Sequence, residues 1–182
     1  MKGSAVMGRL FAEVAYPPLG DQDFGHAEPF RVELQNTGRT VVIGDYTDLG
    51  FQLTPTYVIP GPDAVDVVIH GLPGRFIERL GGSREIPVPL VARLLESVGI
   101  VRGTPLRLLT CHAAEVPLNG PAVAQMLAIE WGGPVEGPNG MLIIYRGGRM
   151  RIDLVDWVAD ALGGMMPDNV FQGQGLWVSH SP

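Results

Sequence analysis

The chain has 182 residues, 46% hydrophobic and 18% charged, a length that one domain fills and a composition that excludes a disordered acidic chain. Thirteen basic against nineteen acidic residues leave a net charge of −6, which argues against a nucleic-acid partner whose affinity depends on neutralising phosphates. The single cysteine, Cys111, excludes an intramolecular disulfide, and no apolar run approaches the roughly 18 residues of a membrane span. Met1 to Ser4 (MKGS) is not followed by a charged segment and a long apolar block, so no signal peptide is expected.

The character of the sequence changes near Pro60, at the turn cluster PGPDA. Residues 1–60 form a β-rich extension of the same domain: alternation in Gly8 to Tyr16, Phe30 to Leu34, Arg39 to Ile43 and Gly50 to Val58 predicts short strands in hairpins with some exposed faces. Residues 61–182 form the core. Val65 to Ile69 (VDVVI) is a β-branched run suited to a strand buried on both faces, and the loop HGLPG follows it. Pro87 to Val98 places Val88, Val91, Leu94, Leu95 and Val98 on one face at spacings of three and four, which predicts an amphipathic helix started near proline and stopped by Gly99. Leu106 to Leu109 reads as the next strand and Pro121 to Trp131 as the next helix. Gly137 to Gly140 then turns into a hairpin across MLIIY and RGGRMRID, a helix is expected from Leu154 to Leu162, and GQGLWVSHSP supplies a final strand. The fold class is therefore α/β, a mostly parallel sheet flanked by helices, with functional groups at the carboxyl ends of the strands.

Two such ends carry chemistry. One strand ends in His70-Gly71 and another, 41 residues further on, ends in Cys111, a spacing that fits one strand-helix-strand crossover. If the strands are neighbours, an imidazole can take the proton of a thiol, and the thiolate is a nucleophile. The backbone N–H groups of Gly71 and Cys111 lie where an oxyanion hole could form, and glycine admits close approach of a substrate.

These residues resemble the caspase-like cysteine peptidases, in which an apolar strand ends in His-Gly and the next in the nucleophilic Cys. The match runs from about Val65 to Cys111. Within that superfamily the order of elements looks most like the self-processing cysteine protease domains of large bacterial toxins. The resemblance implies His70 as base, Cys111 as nucleophile and Gly71 as an oxyanion donor. It also implies a protein or peptide substrate, with Arg75 and Glu115 as the candidate substrate-binding residues, Arg75 suiting an acidic side chain. The context it implies is a secreted or delivered effector acting in a cytoplasm, with an immunity or activator protein as a further partner. Relatives activated by inositol hexakisphosphate carry a lysine- and arginine-rich anion site, from which one lysine and scattered arginines depart, so no cofactor is expected.

The alternatives stay open at this point. His112, adjacent to Cys111, is the other candidate partner for the thiol. A Cys-His site can also deamidate or transfer acyl groups, and a lone strand-end cysteine is commonly a core residue of a non-catalytic interaction domain. A metal site from His70, Cys111, His112 and Glu115 lacks the paired spacing of zinc ligands, so none is expected. Gly71 to Gly74 lacks the Lys-Ser/Thr of a phosphate loop. His26 and His180, placed in loops, receive no role, and Trp131, Trp157 and Trp177 read as core or rim aromatics.

Overall fold

The computed structural model describes residues 10–12, 31–44, 54–78, 84–159 and 165–182. In chain order its elements are β1 (Leu10–Ala12), β2 (Arg31–Gln35), β3 (Thr40–Gly44), β4 (Val65–Val68), β5 (His70–Leu72), β6 (Arg75–Ile77), β7 (Glu85–Ile86), α1 (Val88–Ser97), β8 (Leu106–Leu109), α2 (Val123–Trp131), β9 (Val135–Pro138), β10 (Met141–Ile144), β11 (Met150–Ala159), β12 (Met165–Phe171) and β13 (Trp177–His180). The β-branched runs make the middle of a mixed α/β sheet of order β1-β2-β3-β4-β8-β9-β13, in which β3, β4, β8 and β9 run parallel and the outer pairings are antiparallel. Two smaller antiparallel sheets, β5-β6-β7 and β10-β11-β12, are attached to it.

Strand alternation divides the core in two. Val41, Ile43, Val67, Ile69, Leu106 and Leu108 face one side, where α1 and α2 pack against them and against each other. Val42, Val68 and Leu109 face the other side, under Leu142, Ile144 and Met150 of the β10–β11 hairpin and Trp177 of β13. The helices follow the apolar spacing of their sequences: Leu90, Val91, Leu94 and Leu95 of α1 are buried, and Pro87, which has no N–H to leave unbonded, precedes its first turn. Gly132, at φ +73°, closes α2 by bonding Ala128 O.

Within the second face the two central strands carry opposite charges in register. Asp66 on β4 lies across from Arg107 on β8, and Arg107 Nε and Nη2 donate to the two carboxylate oxygens at 2.6 and 2.8 Å. Arg107 Nη2 also reaches Ile59 O at 3.2 Å. Asp66 is fully buried, and burial pushes its carboxyl above the usual carboxylate range, although the hydrogen bond and charge of Arg107 and the charge of Arg39 act the other way.

Five expectations are corrected. Met150–Ala159 is one long strand, so residues 154–159 are not helical; they pair with β12, with a register irregularity at Asp156/Trp157. Residues 54–57, expected in a strand, form a helical turn, and Val58 behind them is buried. Gly137 and Pro138, expected to open a turn, end β9, which runs parallel to β8. HGLPG is not a loop: His70–Leu72 and Arg75–Ile77 are strands hinged at Gly74, φ +78°. His180 lies in β13 and is half-buried, and burial lowers its pKa. Every residue of β3 is buried. His26 and the MKGS start lie outside the described residues, as do most of Gly8 to Tyr16, Phe30, Gly50 to Leu53 and the segment 160–162 of the expected helix. Among the described residues no helix is long and apolar enough to cross a membrane.

Removing one partner of a buried ion pair leaves the other desolvated and unpaired. Arg107→Ala is therefore expected to lose about 3 kcal/mol of stability in urea unfolding at pH 7. Because the folded state holds Asp66 above its unfolded value of 3.8, protonation of this group favours folding. Lowering the pH through that window toward 3.8 restores part of the loss at this residue.

Candidate active site

The parallel pairing of β4 and β8 delivers the expected residues to one sheet edge. Their register runs from Val65–Leu106 to Val68–Leu109, and His70 and Cys111 each stand two residues beyond its last pair. Past Ile69 the chain leaves the main sheet and enters the β5–β6 meander, where Gly71 pairs with Phe76. Gly71 is pressed against the end of β8: a Cβ there would lie 2.5 Å from both the Cys111 carbonyl oxygen and Thr110 Cγ2. The backbone of the His-Gly strand thus touches the backbone of the Cys strand, with His70 half-buried beside it.

The Cys111 thiol is half-buried and faces β10. Its Sγ accepts the N–H of Leu142 at 3.4 Å and lies 3.8 Å from Leu142 O as a weak donor. Burial pushes the thiol above its usual 9.0, outweighing the N–H groups of Leu142 and of Cys111 itself, which favour the thiolate. At rest the group is a neutral thiol, not half of a preformed ion pair.

The chain turns sharply just after it. His112 is buried and left-handed, φ +58°; its N–H bonds Gly140 O at 2.7 Å, and its Nδ1 lies 2.6 Å from Glu115 Oε2. Glu115 therefore faces His112. Pro117 follows, and its Cγ would lie 2.8 Å from a Cβ on Gly74, so the loop after the thiol packs on the turn of the His-Gly hairpin. Arg75, on that hairpin, is exposed. Arg84 pairs with Glu78 at 2.8 Å. Trp131 is fully buried and donates its indole N–H to Thr104 O at 2.7 Å, and Trp177 packs on the second core. Trp157 stands on a strand, β11, instead of a helix. The backbone of Leu142 and the His112–Glu115 turn were not legible beforehand: main-chain contacts between distant strands leave no pattern in a sequence, and the three-residue spacing of His112 and Glu115 was the only local sign.

Two outcomes follow from this geometry. Gly71→Ala should cost about 2 kcal/mol, as overpacking against a backbone that cannot yield typically does, read as a lowered urea midpoint with an unchanged m-value. Burial holds the Cys111 thiol above its usual 9.0, so its iodoacetamide alkylation, followed by intact mass, should be slow near neutrality and still rising past pH 9.

No curated protein matches this chain. One family does, over residues 51–152, a span that holds β4, the His-Gly meander, both helices, Cys111 and the start of β11. The chain belongs to the family described as Domain of unknown function (DUF8616).

Proposed function

We propose that this protein is a cysteine endopeptidase in which Cys111 is the nucleophile and His70 the general base. The observation that carries this is the approach of Gly71 to Thr110 and Cys111, which sets the His-Gly strand beside the Cys strand at the carboxyl ends of two adjacent parallel strands. Because the resting thiol is protonated, the base removes its proton as attack begins. The sulfur then bonds to the carbonyl carbon of the scissile peptide, and the carbonyl oxygen takes the negative charge. The N–H groups of Gly71 and Cys111 are the donors assigned to that oxyanion. Collapse breaks the C–N bond, the amine leaves with the proton held on the imidazole, and water releases the acyl group from sulfur and returns the thiol. Arg75, exposed on the hairpin, is the residue assigned to an acidic substrate side chain. The resemblance to toxin protease domains suggests an effector or self-processing module, and an immunity or activator protein as a partner.

One observation favours a second reading. The thiol is covered by the Leu142 backbone and its pKa is raised, which suits a core cysteine in an interaction domain as well as a nucleophile that is exposed by substrate.

Intact-mass analysis of wild type, Cys111→Ala and His70→Ala after incubation with a cell lysate, with new N-termini read in the lysate proteins, tests the proposal. Cleavage is expected from wild type and a loss of at least about 100-fold in each variant, the scale of losing a general base or a nucleophile. Glutamine masses shifted by about one dalton, or added acyl groups, with peptide bonds intact would replace the peptidase by a deamidase or acyltransferase. Cleavage that survives in Cys111→Ala sinks the thiol mechanism.

A further inference from the structure

Twelve of the described residues hold φ in the left-handed region, and ten of them are glycines. Of the two exceptions, Asn36 sits in a short 3-10 turn, where its side-chain amide bonds Thr40 Oγ1 and Pro55 O, each at 3.0 Å. The other is His112, immediately after the thiol. A residue with a Cβ avoids this conformation, and where it persists the surroundings over-determine it. Glycine meets the same demand at ten other places among the described residues, so the imidazole at position 112 has to be explained by what the ring does.

The ring is anchored. Its side chain is 5% exposed, with Nδ1 held 2.6 Å from a Glu115 carboxylate that is itself 23% exposed. Glu115 N–H returns to His112 O at 3.1 Å, and His112 N–H to Gly140 O at 2.7 Å, just ahead of β10. On one side this turn adjoins the Leu142 backbone that covers Sγ. On the other it leads through Pro117 to Gly74 of the hairpin that begins with His70-Gly71.

We propose that His112 and Glu115 are a positioning pair, whose contact locks the turn after Cys111 and so fixes the thiol between β10 and the His-Gly strand. Neither residue takes part in bond making: with Nδ1 engaged by Glu115, the ring acts as the pin of a backbone hinge, and His70 remains the base. The proposal deepens the peptidase reading and rests on it, but its first readout does not need turnover.

The test alkylates Cys111 with iodoacetamide in wild type, Glu115→Gln, His112→Gly and His112→Asn, with the melting temperature recorded for each, and measures cleavage in parallel. Glu115→Gln keeps the shape and weakens the pair. His112→Gly removes both the ring and the backbone strain, while His112→Asn keeps tolerance of the left-handed turn and an amide donor for Glu115. Glu115→Gln and His112→Gly are expected to alkylate about tenfold faster at pH 8, as a thiol released from apolar cover does, and to cleave with reduced kcat at unchanged KM. His112→Asn should fall between wild type and the glycine variant. Wild-type alkylation rates in both Glu115→Gln and His112→Gly overturn the proposal, since the turn would then need only its backbone. Faster alkylation with unchanged kcat overturns it too. If wild type cleaves nothing while the variants alkylate faster, the pair stands as the device that fixes the thiol and the peptidase reading fails. Should His112→Gly not fold, the isosteric Glu115→Gln decides alone.

Discussion

Everything at the candidate site depends on the parallel ladder between β4 and β8. Four registered pairs, Val65–Leu106 to Val68–Leu109, set two strands 41 residues apart in sequence side by side and end them level. Slipping that register by one residue would turn Val67 and Leu108 out of the helix-side core and bury different side chains on both faces. It would also separate Asp66 from Arg107, a bidentate pair that a charge in this position needs. Hydrophobic faces and an ion pair thus enforce the same alignment, and the alignment places His70 and Cys111.

Above that ladder the two faces of the sheet are covered differently. Both helices share one face and pack on each other; the other face is roofed by the β10–β11 hairpin. The hairpin is tied down through Asp153, which is buried and accepts from Arg151 Nη2 at 2.9 Å and from Gly173 N–H at 2.7 Å. Burial opposes the charge of Asp153, but these donors hold its carboxyl below the ordinary value of 3.8. The contribution of this tie is present above 3.8 and fades as the pH falls through the lowered value. Since Leu142 of the same hairpin meets the thiol, the cover over Cys111 is anchored at a carboxylate remote from it in sequence.

Much of this was legible in the residues. The β-branched run before His70, the apolar face of α1 and the glycine stops took the places their patterns implied, and the strands that precede His70 and Cys111 are parallel neighbours, although β4 ends at Val68 and His70 opens β5 of a separate sheet. The misread segments share a physical cause. Leu154 to Leu162 has apolar residues that satisfy strand alternation and helical spacing alike, with Asp156 and Asp160 four apart, and pairing with β12 made the first six a strand. Val135–Pro138 carries Gly and Pro, which signal turns, yet Gly137 is there because a Cβ would lie 2.8 Å from Ala113 Cβ. Such choices are made by neighbours distant in sequence, as were the Leu142 cover and the depth of the thiol.

The close approach at Gly71 sets a limit on how this chain can drift. Of the two atoms that crowd the missing Cβ, one is the methyl of Thr110, which a serine would remove, and the other is the Cys111 carbonyl oxygen, which every residue possesses. A compensating change at position 110 can therefore relieve only half of the clash. Position 71 stays closed to anything but hydrogen whatever side chains stand at 110 and 111, so relatives that abandon the thiol altogether would still be held to glycine there for as long as the two strands end level.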